Sequence, residues 1–430
     1  MRTPRVGIDI RRTACGSGAW LALLGAFLWI GACDLVRPAD PGVVITDSAG
    51  VRIVQNEAPA WTADKSWRLV EPPTVQIGAM DGEPAYLFDR IMGAVTLSDG
   101  RIVVADMGAS ELRFFDPDGQ HLMSVGSRGE GPGEFRQVMG LHRLPDDGIA
   151  VYDLLERLHM YGSDGTYRDV IATGSMPLPS VDPITFQLNP PTGIRVVGWL
   201  EDGTFIGWEA SRLAVTAERR FEQADTLTLT FSRFGRDGAV LNELVSLEGP
   251  AYHPHPMNLI LPAVFGATTY AGTDGRSLIV GLSREGEVRW YHPEGRLERL
   301  TRRAWPGQAA TEGMVDDYVR HSVPPLREDI ARGRTFADTL PRFSRLVSDR
   351  AGNVWLRHFE VSHGATTTHH RPTYDGPSTW SVVDPDGRWL GEVTTPADFT
   401  VFEIGQDHVL GMYRDEFDVE YVRVYALEKE

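Results

Sequence analysis

The sequence is poor in cysteine. Only Cys15 and Cys33 occur in 430 residues, both in the first tenth of the chain, so no disulfide framework holds the body together. Positive charge is also scarce: 42 Lys and Arg stand against 59 Asp and Glu, a net charge of −17. That balance argues against a nucleic-acid binder, which shows a basic patch, and reads instead as a solubilising surface. Long apolar runs are missing too. Ala19–Ile30 falls short of the ~20 residues that cross a bilayer as a helix. There is no Gly-x-Ser-x-Gly elbow, and no Ser/His/Asp set stands out.

What is present begins with an export signal. Arg2, Arg5, Arg11 and Arg12 make a positive n-region, Ala19–Ile30 an apolar h-region, and the run ends in Ile30-Gly31-Ala32-Cys33. An aliphatic residue, two small residues and a cysteine resemble the lipobox of bacterial lipoproteins. The resemblance implies that residues 1–33 are a lipoprotein signal peptide and that Cys33 becomes a diacylated N-terminus. It also implies an extracytoplasmic place in a bacterial cell envelope, lipid-anchored to a membrane. Several acyl chains anchor stably where one binds only marginally. An uncleaved anchor or an ordinary secretory signal is the alternative. Residues 34–42 read as a short tether.

Residues 43–430 repeat one unit: two β-runs around an Asp-Gly turn, a gap, then two more around another such turn. Gly93–Gly126 is the clearest copy and Gly140–Gly174 the next; looser copies follow, the last running from Phe399 to Leu427 with only three strands. Asp-Gly suits tight hairpins because both positions tolerate positive φ. Six four-stranded antiparallel units predict an all-β fold, a six-bladed β-propeller. Val43–Gln55 reads as a hairpin that completes the sixth blade and so closes the ring by joining the chain ends. Closure removes a sheet edge that would otherwise template aggregation. Residues 311–333 break the pattern. Thr311 is a candidate N-cap, Met314, Val315, Tyr318 and Val319 form a helical apolar stripe, and Pro324-Pro325 precedes a second short helix.

"ADMGASELRFF" (Ala105–Phe115) and "YDLLERLHMY" (Tyr152–Tyr161) resemble the core of an NHL repeat. Asp106 and Phe115 carry that pattern in the first copy, with Glu111 where Arg is usual; Asp153 and Arg157 carry it in the second. The whole resembles the six-bladed propeller lipoproteins of bacteria. Between the two copies lies "GSRGEGPGEFRQ", Gly126–Gln137, which has the look of a phosphate cradle. A Walker loop needs Gly-Lys-Ser/Thr at its end, and here Pro132-Gly133 follows. In NHL-type propellers such a stretch links adjacent blades. That resemblance implies that Gly129, Gly131 and Gly133 permit a tight crossing and that Phe135 wedges between blades.

Candidate chemistry is sparse. The weak metal candidates are His253 and His255, on an apparent loop after blade three, and His363 and His369, in a long insertion of blade five with His358 and His370. Strand two tends to end in an acid, at Asp106, Asp153 and Glu209, whose expected job is to accept backbone N–H bonds in the next loop. The two "DPDG" turns, at Asp116 and Asp384, lack the spacing of a calcium loop. The expected role is a membrane-tethered scaffold for a protein, peptide or glycan ligand, with no cofactor. The alternative is a metal-dependent hydrolase or lyase with a divalent ion at the central channel, as in the six-bladed lactonases and amidating lyases.

Overall fold

Alternating and fully apolar runs of four to seven residues account for most of the body, and they form strands in six sheets. The computed structural model describes residues 42–429, apart from 63–64, 155–156, 174–193, 212–224, 256–258, 322–332 and 362–375. The chain opens with a hairpin, β1 (Val43–Ser48) and β2 (Val51–Asn56), then a lone strand, β3 (Arg68–Ile77). Blade 1 is β4 (Ile91–Thr96), β5 (Ile102–Asp106), β6 (Glu111–Phe115) and β7 (His121–Val125). Blade 2 is β8 (Val138–Arg143), β9 (Ile149–Asp153), β10 (Arg157–Tyr161) and β11 (Tyr167–Ala172). Blade 3 is β12 (Arg195–Trp199), β13 (Phe205–Ala210), β14 (Asp225–Phe234) and β15 (Val240–His255), with a short extra strand, β16 (Leu259–Pro262). Blade 4 is β17 (Thr269–Thr273), β18 (Leu278–Leu282), β19 (Glu287–Tyr291) and β20 (Leu297–Arg303). After helix α1 (Glu312–His321), blade 5 is β21 (Phe343–Ser348), β22 (Val354–His358), β23 (Ser378–Val383) and β24 (Trp389–Thr395). Blade 6 draws β25 (Phe399–Ile404), β26 (His408–Arg414) and β27 (Glu420–Glu428) from the C-terminus.

The core is divided into six wedges, one between each pair of neighbouring blades. Val103, Ala105 and Phe114 of blade 1 meet Val138, Ile149 and Val151 of blade 2, whereas Ile102, Val104 and Phe115 point the other way, against Leu410, Met412 and Val422 of blade 6. A strand buried on both faces loses its polar alternation, which is why β5 and β9 read as unbroken apolar runs. The innermost strands of blades 1, 2, 3, 5 and 6 each skip one residue against the second strand, as between Ile91 and Gly93. Such bulges bend a strand locally.

The Asp-Gly turns differ in detail from the expectation. At most of them only the glycine has positive φ, as at Gly100 (88°) and Gly203 (83°). The aspartate before it accepts the backbone N–H two residues on: Arg101 N donates to Asp99 at 3.1 Å, Thr204 N to Asp202 at 2.9 Å and Ala239 N to Asp237 at 3.0 Å. Each is a turn closed by a left-handed glycine, with the carboxylate mimicking a backbone acceptor.

Ring closure also departs from the expectation. The hairpin of residues 43–55 does not complete blade 6. Instead β2 runs parallel to β20 and extends blade 4, with Arg52 opposite Arg299 and Asn56 opposite Arg303. The missing fourth strand of blade 6 is β3, antiparallel to β27. The physical reason is burial. β1 is exposed along nearly its whole length, whereas Leu69 joins the core between blades 5 and 6, and Val75 and Ile77 join that between blades 6 and 1. Pro72 and Pro73 disguise β3 as a non-strand. They lie in a bulge of the outermost strand, between Val70 and Val75, where the lost N–H groups cost no ladder bond.

Between the hairpin and β3 the chain crosses blade 5. Ala60 N and Trp61 N donate to the carbonyls of Trp389 and Leu390, and the tilted rings of Trp61, Trp67 and Trp355 pack in series with centroids 5.0 and 5.9 Å apart. Asn56 is buried and fully used. Its amide nitrogen donates to Thr301 Oγ1 and the Gly387 carbonyl at 3.0 Å, and its oxygen accepts from Trp389 N at 2.9 Å. Residues 42–77 therefore form a belt across blades 4, 5 and 6. A chain starting at Glu57 will keep one cooperative thermal transition at a lower Tm, while one starting at Gly78 will lose cooperativity, as circular dichroism melts can check. Asn56→Ala will cost about 1–3 kcal/mol in denaturant melts, because it strands buried partners.

Candidate functional site

The two faces of the ring are built differently. On one face, the turn face, all eleven connections between first and second or third and fourth strands are three to five residues long. Connections between second and third strands, and between blades, emerge on the opposite face. The strands that flank segments 174–193, 212–224 and 362–375 end on that face, as does the strand before α1, and segment 322–332 follows α1. It is the insertion face, where rigid strands carry the longer connections.

On this face blades 1 and 2 repeat one charge device. Asp106, buried at the end of β5, accepts from Gly108 N and Ala109 N at 3.0 and 3.2 Å and pairs with Arg113 at 3.1 Å. Burial pushes its pKa up in spite of these partners. Asp153, buried at the end of β9, accepts from Arg157 N at 3.2 Å and pairs with Arg157 at 2.5 Å and His159 at 3.2 Å. Burial pushes its carboxyl up too, but bonds from His159 and Arg157 outweigh this and hold it below the usual range. In blade 3 the pattern lapses: Glu209 is exposed, and Ser211 ties the strands by accepting from Thr228 N at 2.9 Å.

The glycine-rich linker fills its own cradle. Glu134 places its carboxylate over the glycines and accepts from Gly131 N at 2.9 Å. A Cβ on Gly129 would lie 1.9 Å from that carboxylate, and one on Gly126 (φ 93°) would lie 2.5 Å from the Phe135 ring. Phe135 is fully buried in the wedge between blades 1 and 2, 5.0 Å from the His159 ring, and Tyr161 Oη donates to the Gly133 carbonyl at 3.0 Å. Phe115 is equally buried in the wedge on the other side of blade 1. The anion site that the glycines suggest is thus occupied by the chain's own carboxylate.

Helix α1 caps the insertion face near blades 3 to 5. Thr311 is its N-cap, with Oγ1 accepting from Met314 N at 3.3 Å. Met314, Val315 and Tyr318 pack over Val264, Phe265 and Leu340. Phe265 has φ 59°, strained for a bulky residue, and is fixed among Tyr318, Phe336 and Phe359 with ring centroids 5.8, 5.7 and 6.0 Å away. The second short helix expected after Pro324-Pro325 lies outside the described residues. Beside this cap a cleft of about 200 Å³ opens between blades 3 and 4, lined by Glu248, Thr268, Thr269, Arg284, Glu285 and Arg289 among others. Glu248 pairs across the ladder with Thr228, close to where segment 212–224 rejoins blade 3. The cleft offers both charges and hydroxyls, a lining suited to polar ligands.

The histidines do not gather here. The stretch bearing His253 and His255 is strand, not loop. Its backbone pairs with β16, His253 opposite Leu261 and His255 opposite Leu259, and Pro254 favours the extended form. His255 is buried against Gly333, where a Cβ would lie 2.3 Å from its Nε2. His363 and His369 lie outside the described residues. Among the described residues, no three His, Cys, Asp or Glu side chains lie close enough together to hold a metal ion.

One polar cluster joins residues that the sequence does not connect, and of its members only His358 stands among the histidine candidates. His358 Nε2 lies 2.7 Å from Ser381 Oγ, with Glu392 3.5 Å from the same nitrogen and Arg303 bonded to the same hydroxyl. Burial pushes His358 down to about 4, so it is neutral at pH 7. This is no hydrolytic triad. The acid faces the nitrogen that faces serine instead of the opposite one, and Ser381 is wholly buried. Arg303 lies 3.9 Å from the Trp305 ring centroid and 4.0 Å from that of Trp389, so the cluster clamps blade 4 to blade 5.

A second cluster clamps the closing seam on the turn face. Glu403 of blade 6 accepts from Arg350 of blade 5 at 2.6 Å and from Thr96 N of blade 1 at 3.0 Å. His408 lies 3.3 Å from Thr96 Oγ1 and 3.7 Å from Glu403. The bond to Glu403, then that to Asp407, raises the His408 pKa above its ordinary value, against burial.

A family model, DUF5128, described as a 6-bladed beta-propeller, matches residues 86–172, which span blades 1 and 2. No curated protein matches the sequence. Similar solved structures include a member of the DUF4221 family from Bacteroides vulgatus, with 11% identity over 85% of this chain and 98% of that one and a TM-score of 0.48. A Bacteroides fragilis protein provisionally named as exported shows 10% identity, coverage of 88% and 99% and a TM-score of 0.47. Virginiamycin B lyase from Staphylococcus aureus shows 8% identity, coverage of 84% and 99% and a TM-score of 0.37. These are loose likenesses of fold.

The His408 cluster makes a pH prediction. A folded-state pKa above the unfolded value near 6.5 contributes stability that is fully present below pH 6.5 and is lost as pH rises through the folded value. Melting curves from pH 5.5 to 9 will therefore show a falling Tm that His408→Gln flattens. An unchanged slope in the variant would show that His408 does not couple the seam to pH.

Proposed function

We propose that the protein is an extracytoplasmic propeller, anchored to a bacterial membrane through lipid on Cys33, that binds a protein, peptide or glycan ligand on its insertion face. The contrast between the two faces carries this reading. Eleven minimal turns on one side leave nothing to vary, while the strands that flank the long segments end on the other. A ring locked by six apolar wedges can carry such segments without loss of the fold, which is the economy of a binding scaffold. The mixed-charge cleft and the strained aromatic hub lie on the same side. Anchoring is supported by the Ile-Gly-Ala-Cys ending and by the tether that follows it. Among the described residues no helix is long and apolar enough to cross a membrane.

Two experiments test this. Cys33→Ala will move the protein from the membrane fraction to the soluble fraction; retention in the membrane would refute lipid anchoring. A photo-crosslinking residue at Arg284, on the insertion face, will give adducts in living cells, and one at Asp237, on the turn face, will not. Adducts from Asp237 alone would reverse the assignment. Stoichiometric metal in the purified protein, removed by chelator together with a hydrolase or lyase activity, would replace the scaffold reading with an enzymatic one.

A further inference from the structure

We propose that the surface at the junction of blades 6 and 1, on the insertion face, is a docking site for a basic, apolar segment of a partner protein, one in which Lys or Arg side chains flank apolar ones. The proposal rests on the insertion-face binding proposed above and names the chemistry of the ligand.

Nine large apolar side chains are exposed among the described residues. Six lie on β1, β7, β11 and β15, and the other three, Met80, Leu87 and Phe417, lie on two connections that touch. Residues 415–419 join β26 to β27, the second and third strands of blade 6, and residues 78–90 join β3 of blade 6 to β4 of blade 1. Where they meet, a Cβ on Gly78 would lie 2.9 Å from the Glu420 carbonyl, and Ile91 N donates to the Glu420 carboxylate at 2.6 Å. Both connections are firmly built. Asp415 accepts from Phe417 N and Val419 N at 2.9 Å and from Tyr421 Oη at 3.1 Å, which fixes the turn and leaves Phe417 67% exposed at its tip. In the longer connection Ala79 N donates to the Tyr86 carbonyl at 2.9 Å and buried Arg113 donates to the Leu87 carbonyl at 2.6 Å, yet Met80 is 58% exposed. The equivalent connection of blade 1 turns its apolar residue inward, for Met107 is buried. A backbone fixed before binding has little ordering left to undergo, so the three side chains stand on a pre-organised platform.

Charge indicates the partner. The same two connections carry six carboxylates and one Arg. Arg90 pairs with Asp89 at 3.2 Å, and Arg414, at the foot of the turn, pairs with Glu420 at 2.9 Å. Asp81, Glu83 and Glu416 are exposed and have no ion-pair partner among the described residues. Like charges left together repel one another, and no contact inside the wedges offsets that cost. Such a surface repels nucleic acid and anionic lipid. It complements a segment whose cations reach the carboxylates while its apolar side chains cover Phe417, Met80 and Leu87, an apolar centre with a charged rim.

The test pans the full chain against a phage-displayed library of random linear peptides. Selected peptides will combine Lys or Arg with apolar residues, and their binding will weaken as salt rises. Phe417→Ser, and separately Met80→Ser, will weaken them about tenfold. The triple variant Asp81→Lys, Glu83→Lys, Glu416→Lys will abolish binding. A second triple, Asp118→Lys, Glu201→Lys, Glu294→Lys, makes the same change of net charge on the turn face and will leave affinity within twofold. All these side chains are exposed, so melting curves of the variants will match the parent. Equal loss from both triples would reduce the attraction to net charge and overturn the site, as would a library that yields no peptide dependent on Phe417. Peptides lost on Arg284→Ala but indifferent to Phe417→Ser would overturn this site and leave insertion-face binding standing. Peptides lost only with the turn-face triple would overturn both.

Discussion

The whole ring depends on one pairing, β3 against β27. Blade 6 receives only three strands from the C-terminal end of the chain, and without a fourth it would lack the side chains that fill out the wedges against blades 5 and 1. The strand that fills the gap comes from the other end of the sequence. Its partners are made across some 350 residues: Val75 opposite Val424, Leu69 opposite Leu427, and Arg68 bonded twice to Glu428 at 2.9 and 2.6 Å. The exposed ion pair adds little. Ile77, fully buried between blades 6 and 1, adds much more, because a leucine-sized side chain contributes about 1.5–3 kcal/mol on burial. No disulfide shares this task in the body, so the seam is held by strand pairing, the apolar wedges and the Arg350–Glu403–Thr96 clamp.

Much of this was legible in the sequence, and what was not has a physical reason. Period and turn spacing announce the blades because each blade repeats the same two hairpins. The Asp-Gly signal located the turns correctly, though Asp99 and Asp202 act as hydrogen-bond acceptors and leave positive φ to the glycines. Closure was misassigned because β1 and β2 have a clean hairpin pattern, while β3 hides behind Pro72 and Pro73. Local pattern reports whether a segment can be a strand, but not which edge it joins. That choice was made by Ile77 and Val75 finding a wedge, and no window of sequence contains both sides of that wedge. The Ser381–His358–Arg303 cluster was unreadable for the same reason. Its members come from three strands of two blades and are brought together only by the ring.

The glycine-rich linker shows how a motif can be correct in physics and mistaken in chemistry. Its bare backbone does present an N–H to an anion. The anion is Glu134, three residues from Gly131, so the preference of that backbone for negative charge is satisfied within the linker. Gly126 is needed because its φ is 93° and a Cβ would meet the buried Phe135 ring, whereas a Cβ at Gly129 would only displace the flexible Glu134 carboxylate from its seat over the glycines. The stretch is best understood as the inter-blade joint of blades 1 and 2, with its phosphate-like appearance a consequence of how tightly that joint is folded.

Under the lipid anchoring proposed above, the belt resolves a conflict between anchoring and closure. If the chain ran straight from a lipid anchor into β3, any pull on the tether would act directly on the strand that keeps the ring shut. Instead the pull arrives at Gly42. It must first part β1 from β2 one hydrogen-bonded pair at a time, then strip β2 from β20, where buried Asn56 holds Thr301, Gly387 and Trp389. Beyond that lie the Trp61 and Trp67 contacts on blade 5. Only then does load reach Arg68. Because β1 is exposed and contributes almost nothing to the apolar wedges, it can fray without cost to them. The hairpin is therefore placed where a protective element should be, between the mechanical boundary of the protein and the one pairing it cannot lose.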